Sequence, residues 1–147
     1  MSWPDVGIFQ ALHSLKVMDV MNGSRDNGAP IIQWDQHGAS NQQFRIEPLG
    51  GNEFALRAVH SGKVLDVWEW STANGGRIVQ WDWHGGNNQR WAIDDAGVPE
   101  DSDLFALRSI HSGKVLDVSG ISRENGAQIH QWDWVGGNNQ RWRIVLP

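Results

Sequence analysis

The sequence predicts an all-β fold in which three copies of one four-strand unit close about a pseudo-threefold axis. The first observation is a gap-free internal repeat. Residues 13–44, 60–91 and 111–142 superpose directly, and 16 of the 32 aligned positions are identical in all three copies. Repeats of this kind are units that cannot bury an apolar face alone. The second observation is periodicity: apolar residues alternate or run in short bursts between turn signals, and no longer window carries a 3.6-residue period. The third is unit length. The spacing is 47 residues from Asp19 to Asp66 and 51 from Asp66 to Asp117.

Taken in order through the second copy, residues 54–59 (Phe-Ala-Leu-Arg-Ala-Val) form the first predicted strand. The turn His60-Ser61-Gly62 leads into a second strand over 63–67, where Lys63, Val64, Leu65, Asp66 and Val67 place a carboxylate among apolar residues. Asn74-Gly75 marks a turn, since both residue types tolerate positive φ. A third strand over 77–81 ends on Gln80-Trp81, and Trp91-Ala92-Ile93 closes the unit after a Gly/Asn loop. The four extra residues between copies two and three fall in 94–103, an acidic Gly/Pro-containing stretch that reads as a longer loop. Four strands per unit and three units make twelve. A closed propeller needs four or more blades, so three units favour a β-trefoil: a short barrel capped by three hairpins, one domain over 1–147 with repeats of about 1–47, 48–98 and 99–147.

Composition narrows the function classes. With no cysteine there is no disulfide framework, thiolate metal site or thiol nucleophile. A net charge of −5 with scattered lysines and arginines argues against nucleic acid as a partner. No apolar run reaches a membrane span, so no membrane insertion is expected. The start Met-Ser-Trp-Pro-Asp has no basic segment before an apolar one. The expected location is therefore cytoplasmic, or outside the cell by release without a signal peptide. Ten tryptophans, beside four phenylalanines and no tyrosine, are more than one core of this size explains.

Gln89-Arg90-Trp91 and Gln140-Arg141-Trp142, with Gln42-Gln43-Phe44 as a conservative departure, follow an Asp-Val strand and a Gln-Trp-Asp strand at fixed offsets. This pattern resembles the ricin B-type (R-type) lectins and the related family 13 carbohydrate-binding modules, over nearly the whole chain and three times in register. The resemblance implies a β-trefoil with one shallow sugar site per copy, for galactose, N-acetylgalactosamine or xylan-type sugars, and no cofactor. Carried across, the implied sugar-binding residues are Asp19, Trp34, Asn41 and Gln42; Asp66, Trp81, Asn88 and Gln89; and Asp117, Trp132, Asn139 and Gln140. Two departures stand out. Val64 and Trp83 lie where many relatives carry a cysteine pair. Gln33, Gln80 and Gln131 directly precede the third-strand Trp, leaving Ile32, Val79 and His130 two positions before it.

The chemistry of these residue types suits a neutral sugar. An ionised Asp accepts strong hydrogen bonds from neighbouring hydroxyls, Asn offers a donor and an acceptor, and an indole face receives the C–H patch of a pyranose at small entropic cost. Asp and Trp are 15 residues apart in every copy and Asn lies seven beyond Trp, so two turns bring three strand ends together. His37 and His84 are candidate rim contacts, replaced by Val135 in copy three. Gln42, Gln89 and Gln140 suit backbone bonding as well as sugar contact. Phe44, Trp91 and Trp142 are expected in the core. His13, His60 and His111 are expected to shape the local turn, and Asp35, Asp82 and Asp133 to serve at strand edges. Copy two alone carries Trp68-Glu69-Trp70 after its Asp, which is either an extended platform or loop packing. A glycosidase needs two differentiated carboxylates, whereas this repeat supplies three similar ones. The expectation is a non-catalytic lectin. The alternative is a protein-binding trefoil of protease-inhibitor type acting through exposed loops, and a homodimer is compatible with either.

Overall fold

A computed structural model describes residues 3–97 and 103–147. Lobe one contains β1 (Val6–Ala11), β2 (Val17–Val20), β3 (Ile31–Trp34) and β4 (Phe44–Gly50). Lobe two contains β5 (Glu53–Ala58), β6 (Val64–Val67), β7 (Ile78–Trp81) and β8 (Trp91–Asp95). Lobe three contains β9 (Phe105–Ser109), β10 (Val115–Val118), β11 (Ile129–Trp132) and β12 (Trp142–Val145). The antiparallel pairings β1–β4, β4–β5, β5–β8, β8–β9, β9–β12 and β12–β1 close a six-stranded barrel. Closure removes the sheet edges that would otherwise be open to pairing. The remaining strands form three hairpins, β2–β3, β6–β7 and β10–β11. This is the β-trefoil that the repeat arithmetic predicts.

The core is threefold in composition. Met18, Leu65 and Leu116, then Ile31, Ile78 and Ile129, then Phe44, Trp91 and Trp142 are sequestered in equivalent layers. Each buried indole N–H has a partner: Trp91 Nε1 donates to Leu65 O at 3.2 Å and Trp142 Nε1 to Leu116 O at 3.3 Å. At Gly7, where the other lobes have Phe54 and Phe105, a Cβ would lie 2.9 Å from Ile144, so only glycine fits without movement.

One local expectation changes. The segment 94–103 is not all loop: Asp94 and Asp95 extend β8, paired with Ala106 and Phe105, because the ladder to β9 continues in register. Residues 98–102 of that segment lie outside the described residues. The turns expected at Asn27-Gly28, Asn74-Gly75 and Asn125-Gly126 form, within longer connections, and in each of these pairs the glycine alone takes positive φ. The asparagines instead reach the next lobe: Asn27 Nδ2 donates to Asp82 at 3.0 Å, Asn74 to Asp133 at 3.1 Å and Asn125 to Asp35 at 3.0 Å.

The lobes join head to tail through polar groups. Gln80 has no exposed surface; its Nε2 donates to Ser24 O at 2.8 Å and Asp26 O at 2.9 Å, and its Oε1 accepts from Ser61 at 2.9 Å. Gln131 repeats this between lobes three and two, and Gln33 between lobes one and three. His13, His60 and His111 bond Ser122 O, Ser24 O and Trp70 O across the same seams at 2.6–2.7 Å. Their role is structural but interlobe, not confined to the turn they open. Asp35, Asp82 and Asp133 are held below the ordinary carboxylate range, first by the hydrogen bond from the neighbouring lobe's Asn and then by Lys16, Lys63 and Lys114.

Truncating Gln80 to Ala takes one donor from each of two carbonyls, leaving Ser24 O only His60 and Asp26 O only the 3.4 Å contact from Ala29 N–H, and opens a void. Lost hydrogen bonds at about 1 kcal/mol each together with the void give an expected loss of about 2–4 kcal/mol, read from the urea unfolding midpoint. A loss below about 0.5 kcal/mol would show that these seams do not hold the lobes together.

Candidate functional site

Each hairpin carries its aspartate on the face opposite the core: Met18 and Val20 point into the barrel while Asp19 points away, as strand alternation requires. The carboxylates are nonetheless almost covered, at 3% exposure for Asp19, 4% for Asp66 and 5% for Asp117. A buried charge must be paired or hydrogen-bonded, and side-chain amides supply the bonds. Gln42, Gln89 and Gln140 Nε2 donate to the aspartate Oδ2 at 2.8–2.9 Å. The same Nε2 donates to the carbonyl of Asp35, Asp82 or Asp133, and Oε1 accepts the backbone N–H of His37, His84 or Val135. The glutamines have no exposed surface. They lie under the site and hold the carboxylate; the structure does not bring them to its surface.

Asn41 and Asn88 donate from Nδ2 to Oδ1 of Asp19 at 3.3 Å and of Asp66 at 3.4 Å, and to Val20 O and Val67 O at 3.1 Å. Asn88 Oδ1 is buried and accepts nothing from the protein. Burial raises the pKa of Asp19 and Asp66 above 3.8. The glutamine hydrogen bonds and the nearby histidines, His37 and His60 for Asp19 and His84 for Asp66, oppose that rise in part.

Above the carboxylates stand Trp34, Trp81 and Trp132, exposed at 36–40%. They lie two residues along β3, β7 and β11 from the cross-strand partner of each Asp, on its face. Each indole edge rests at 3.8–3.9 Å from where a Cβ would sit on the neighbouring lobe's Gly126, Gly28 or Gly75. The Asn-Gly turn of one lobe thus braces the tryptophan of the next. His37 and His84 close the rim. Their Nδ1 accepts the N–H of Ala39 or Gly86 at 3.1 Å, which leaves the proton on Nε2, facing Asp19 at 3.6 Å and Asp66 at 3.8 Å.

The resulting hollows differ. In lobe one Asp19, Met21, Ile32, Trp34, His37 and Asn41 line about 420 Å³. In lobe two Asp66, Trp68, Glu69, Trp70, Trp81, His84 and Asn88 line about 230 Å³. The turn after the aspartate needs two successive residues at positive φ: Asn22 and Gly23, Glu69 and Trp70, or Gly120 and Ile121. Left-handed backbone costs a residue other than glycine about 1–2 kcal/mol, and lobe two bears this cost twice. Trp70 is 49% exposed, stacks on His84 with centroids 5.8 Å apart and meets His111 edge-on. Trp68 lies under Arg77, 4.9 Å from the guanidinium. In lobe three Val135 removes the rim histidine, and His130 Nε2 donates to Asp117 Oδ1 at 2.8 Å. Among the described residues no cluster of three or more His, Asp or Glu is arranged to hold a metal.

Comparison with known proteins fits this geometry. The model of the ricin-type beta-trefoil lectin domain-like family matches residues 5–81, 40–102 and 87–146. The chain belongs to the ricin-type β-trefoil lectin family. This lectin is similar to the designed threefold-symmetric protein ThreeFoil, at 40% identity over 98% of this chain and all of that one, with a TM-score of 0.93. It is also similar to an exo-β-1,3-galactanase from Clostridium thermocellum, at 36% identity and a TM-score of 0.92, over all of this chain but 31% of that one. The ricin B-like lectin of Macrolepiota procera, solved with lactose, shares the fold at 23% identity over 100% of this chain and 99% of that one, with a TM-score of 0.85. No curated protein sequence matches the lectin significantly.

Sequence reasoning missed two elements. The bracing Asn-Gly turns looked purely local. The contact of His130 with Asp117 was signalled by a polar side chain where copies one and two have Ile32 and Val79, but the pairing needed the register.

Gly86 gives Trp70 its room: a Cβ there would lie 2.4 Å from the indole. Gly86→Ala should swing Trp70 off His84, shifting its indole N–H resonance and costing about 1–3 kcal/mol, as overpacking does. An unchanged resonance and unfolding midpoint would contradict this packing.

Proposed function

We propose that this lectin binds galactose- and N-acetylgalactosamine-type glycans without catalysis, at up to three repeated hollows. The observation that carries the reading is a carboxylate fixed by side-chain amides at the floor of a hollow walled by an exposed indole. The carboxylate accepts from adjacent sugar hydroxyls, and the indole face takes the C–H patch of the ring. Relatives support the choice of sugar. The Macrolepiota lectin was solved with lactose, and an earthworm R-type lectin half, which shares the fold, with N-acetylgalactosamine. The galactanase likeness spans under a third of that enzyme. Hollow one holds a single carboxylate, Asp19, and hollow two adds Glu69 to Asp66. Hydrolysis would need a differentiated acid–base pair, which the repeated aspartates, held alike by Gln42, Gln89 and Gln140, do not supply, so no turnover of aryl galactosides is expected.

A shallow site of this kind should have a Kd on the order of millimolar, about −4 kcal/mol. Clustered glycans on a surface would raise the apparent affinity by effective concentration. Lobe two, with Trp70 as an added aromatic wall, is expected to bind most tightly. Calorimetry with lactose should therefore show a larger affinity loss for Asp66→Ala than for Asp19→Ala or Asp117→Ala; the smallest loss at Asp66 would refute the ranking.

Binding needs the ionised carboxylate. Because burial raises the pKa of Asp19 and Asp66 above 3.8, sugar retention should fall as pH drops through a range above that value. Retention on a galactose matrix, measured from neutral pH down to about pH 3, reads this directly. Unchanged retention at the acid end would rule out an ionised aspartate as the acceptor.

A further inference from the structure

We infer that His130 closes the third hollow by taking the place of a sugar, so that the lectin has two working sites, in lobes one and two. This rests on the carbohydrate reading above. In the ladder of β10 with β11, Asp117 and His130 are direct cross-strand partners, where lobes one and two pair Asp19 with Ile32 and Asp66 with Val79. Side chains so paired stand close enough to bond. His130 Nε2 lies 2.8 Å from Asp117 Oδ1 and Gln140 Nε2 lies 2.9 Å from Oδ2, so both carboxylate oxygens have short bonds from within the protein.

In lobes one and two, Oδ1 receives only the longer contact from Asn41 or Asn88, at 3.3–3.4 Å, and remains available to a hydroxyl. Ile32 and Val79 have no donor to offer. The imidazole of His130 also lies nearly parallel to Trp132, at 27° with centroids 5.5 Å apart. It thus supplies both things a pyranose supplies, a donor to the carboxylate and a flat face beside the indole. Trp132 remains as exposed as Trp34 and Trp81, so closure acts through the carboxylate. The loss of the rim histidine at Val135 removes the donor that faces Asp19 and Asp66 in the other lobes.

The test is a lactose titration followed by calorimetry and by the indole N–H resonances. Wild-type protein should bind two lactose molecules per chain, shifting Trp34 and Trp81 and leaving Trp132 in place. His130→Val, which installs the lobe-two residue, should raise the stoichiometry to three and bring Trp132 into the response. Val79→His should lower it to one while Trp34 still responds, and an unchanged melting temperature keeps that loss from being misfolding. Trp132 responding in wild type with the affinity of the others, or His130→Val leaving it silent, overturns the inference. No response at any of the three indoles overturns the carbohydrate reading itself.

Discussion

A carboxylate with almost no exposed surface, tied by a glutamine amide, is the constraint on which the rest of the site depends. Taking an ionised Asp out of water costs several kcal/mol unless hydrogen bonds replace its hydration. Gln89 does this for Asp66 from below, and with its remaining valences fixes the end of β7 at Asp82 and the start of the rim loop at His84. Two residues on, Trp91 drives into the core and donates to Leu65 O, the residue before Asp66. The Gln-x-Trp sequence therefore grips one strand at adjacent residues, polar on one side and apolar on the other. Lobe one keeps the glutamine half of the grip through Gln42, but the Phe44 side chain has no N–H to complete it.

The same hairpins are held to each other in a closed cycle. Gln33, Gln80 and Gln131 reach backbone carbonyls of the preceding lobe, and Asn27, Asn74 and Asn125 bind the aspartate that follows the next lobe's indole. Lobe closure and site assembly are thus one event: the indole of each hollow is braced by a glycine that another lobe contributes. A repeat excised from the ring would lose a wall of its site along with the apolar cover of its core.

The fold was legible because its signals are local and repeated: apolar alternation, Gly turns, and a period that three copies satisfy by closing. Asp, Trp and Asn of the site were legible because their offsets are constant, and those offsets translate into a shared face once β2 pairs with β3. What escaped was long-range. The interlobe bonds of His60 to Ser24 and of Asn27 to Asp82 join residues 36 and 55 positions apart, and no pattern within one unit reveals them. The glutamines could be read either way from sequence, because only burial distinguishes an amide that holds an aspartate from one that reaches a ligand. His130 shows how a single substitution inside a conserved frame changes a site without disturbing the strand beneath it.

If the carboxylates serve ligand and not fold, neutralising them should separate the two. Asp66→Asn keeps an oxygen for Gln89 and removes a charge that burial disfavours, as the raised pKa of Asp66 shows. Unfolding and lactose binding should be measured on the same Asp19→Asn, Asp66→Asn protein at neutral pH. The expected result is stability equal to or above wild type with sugar binding abolished. Intact binding, or a collapse in stability with the amide in place, would contradict the account.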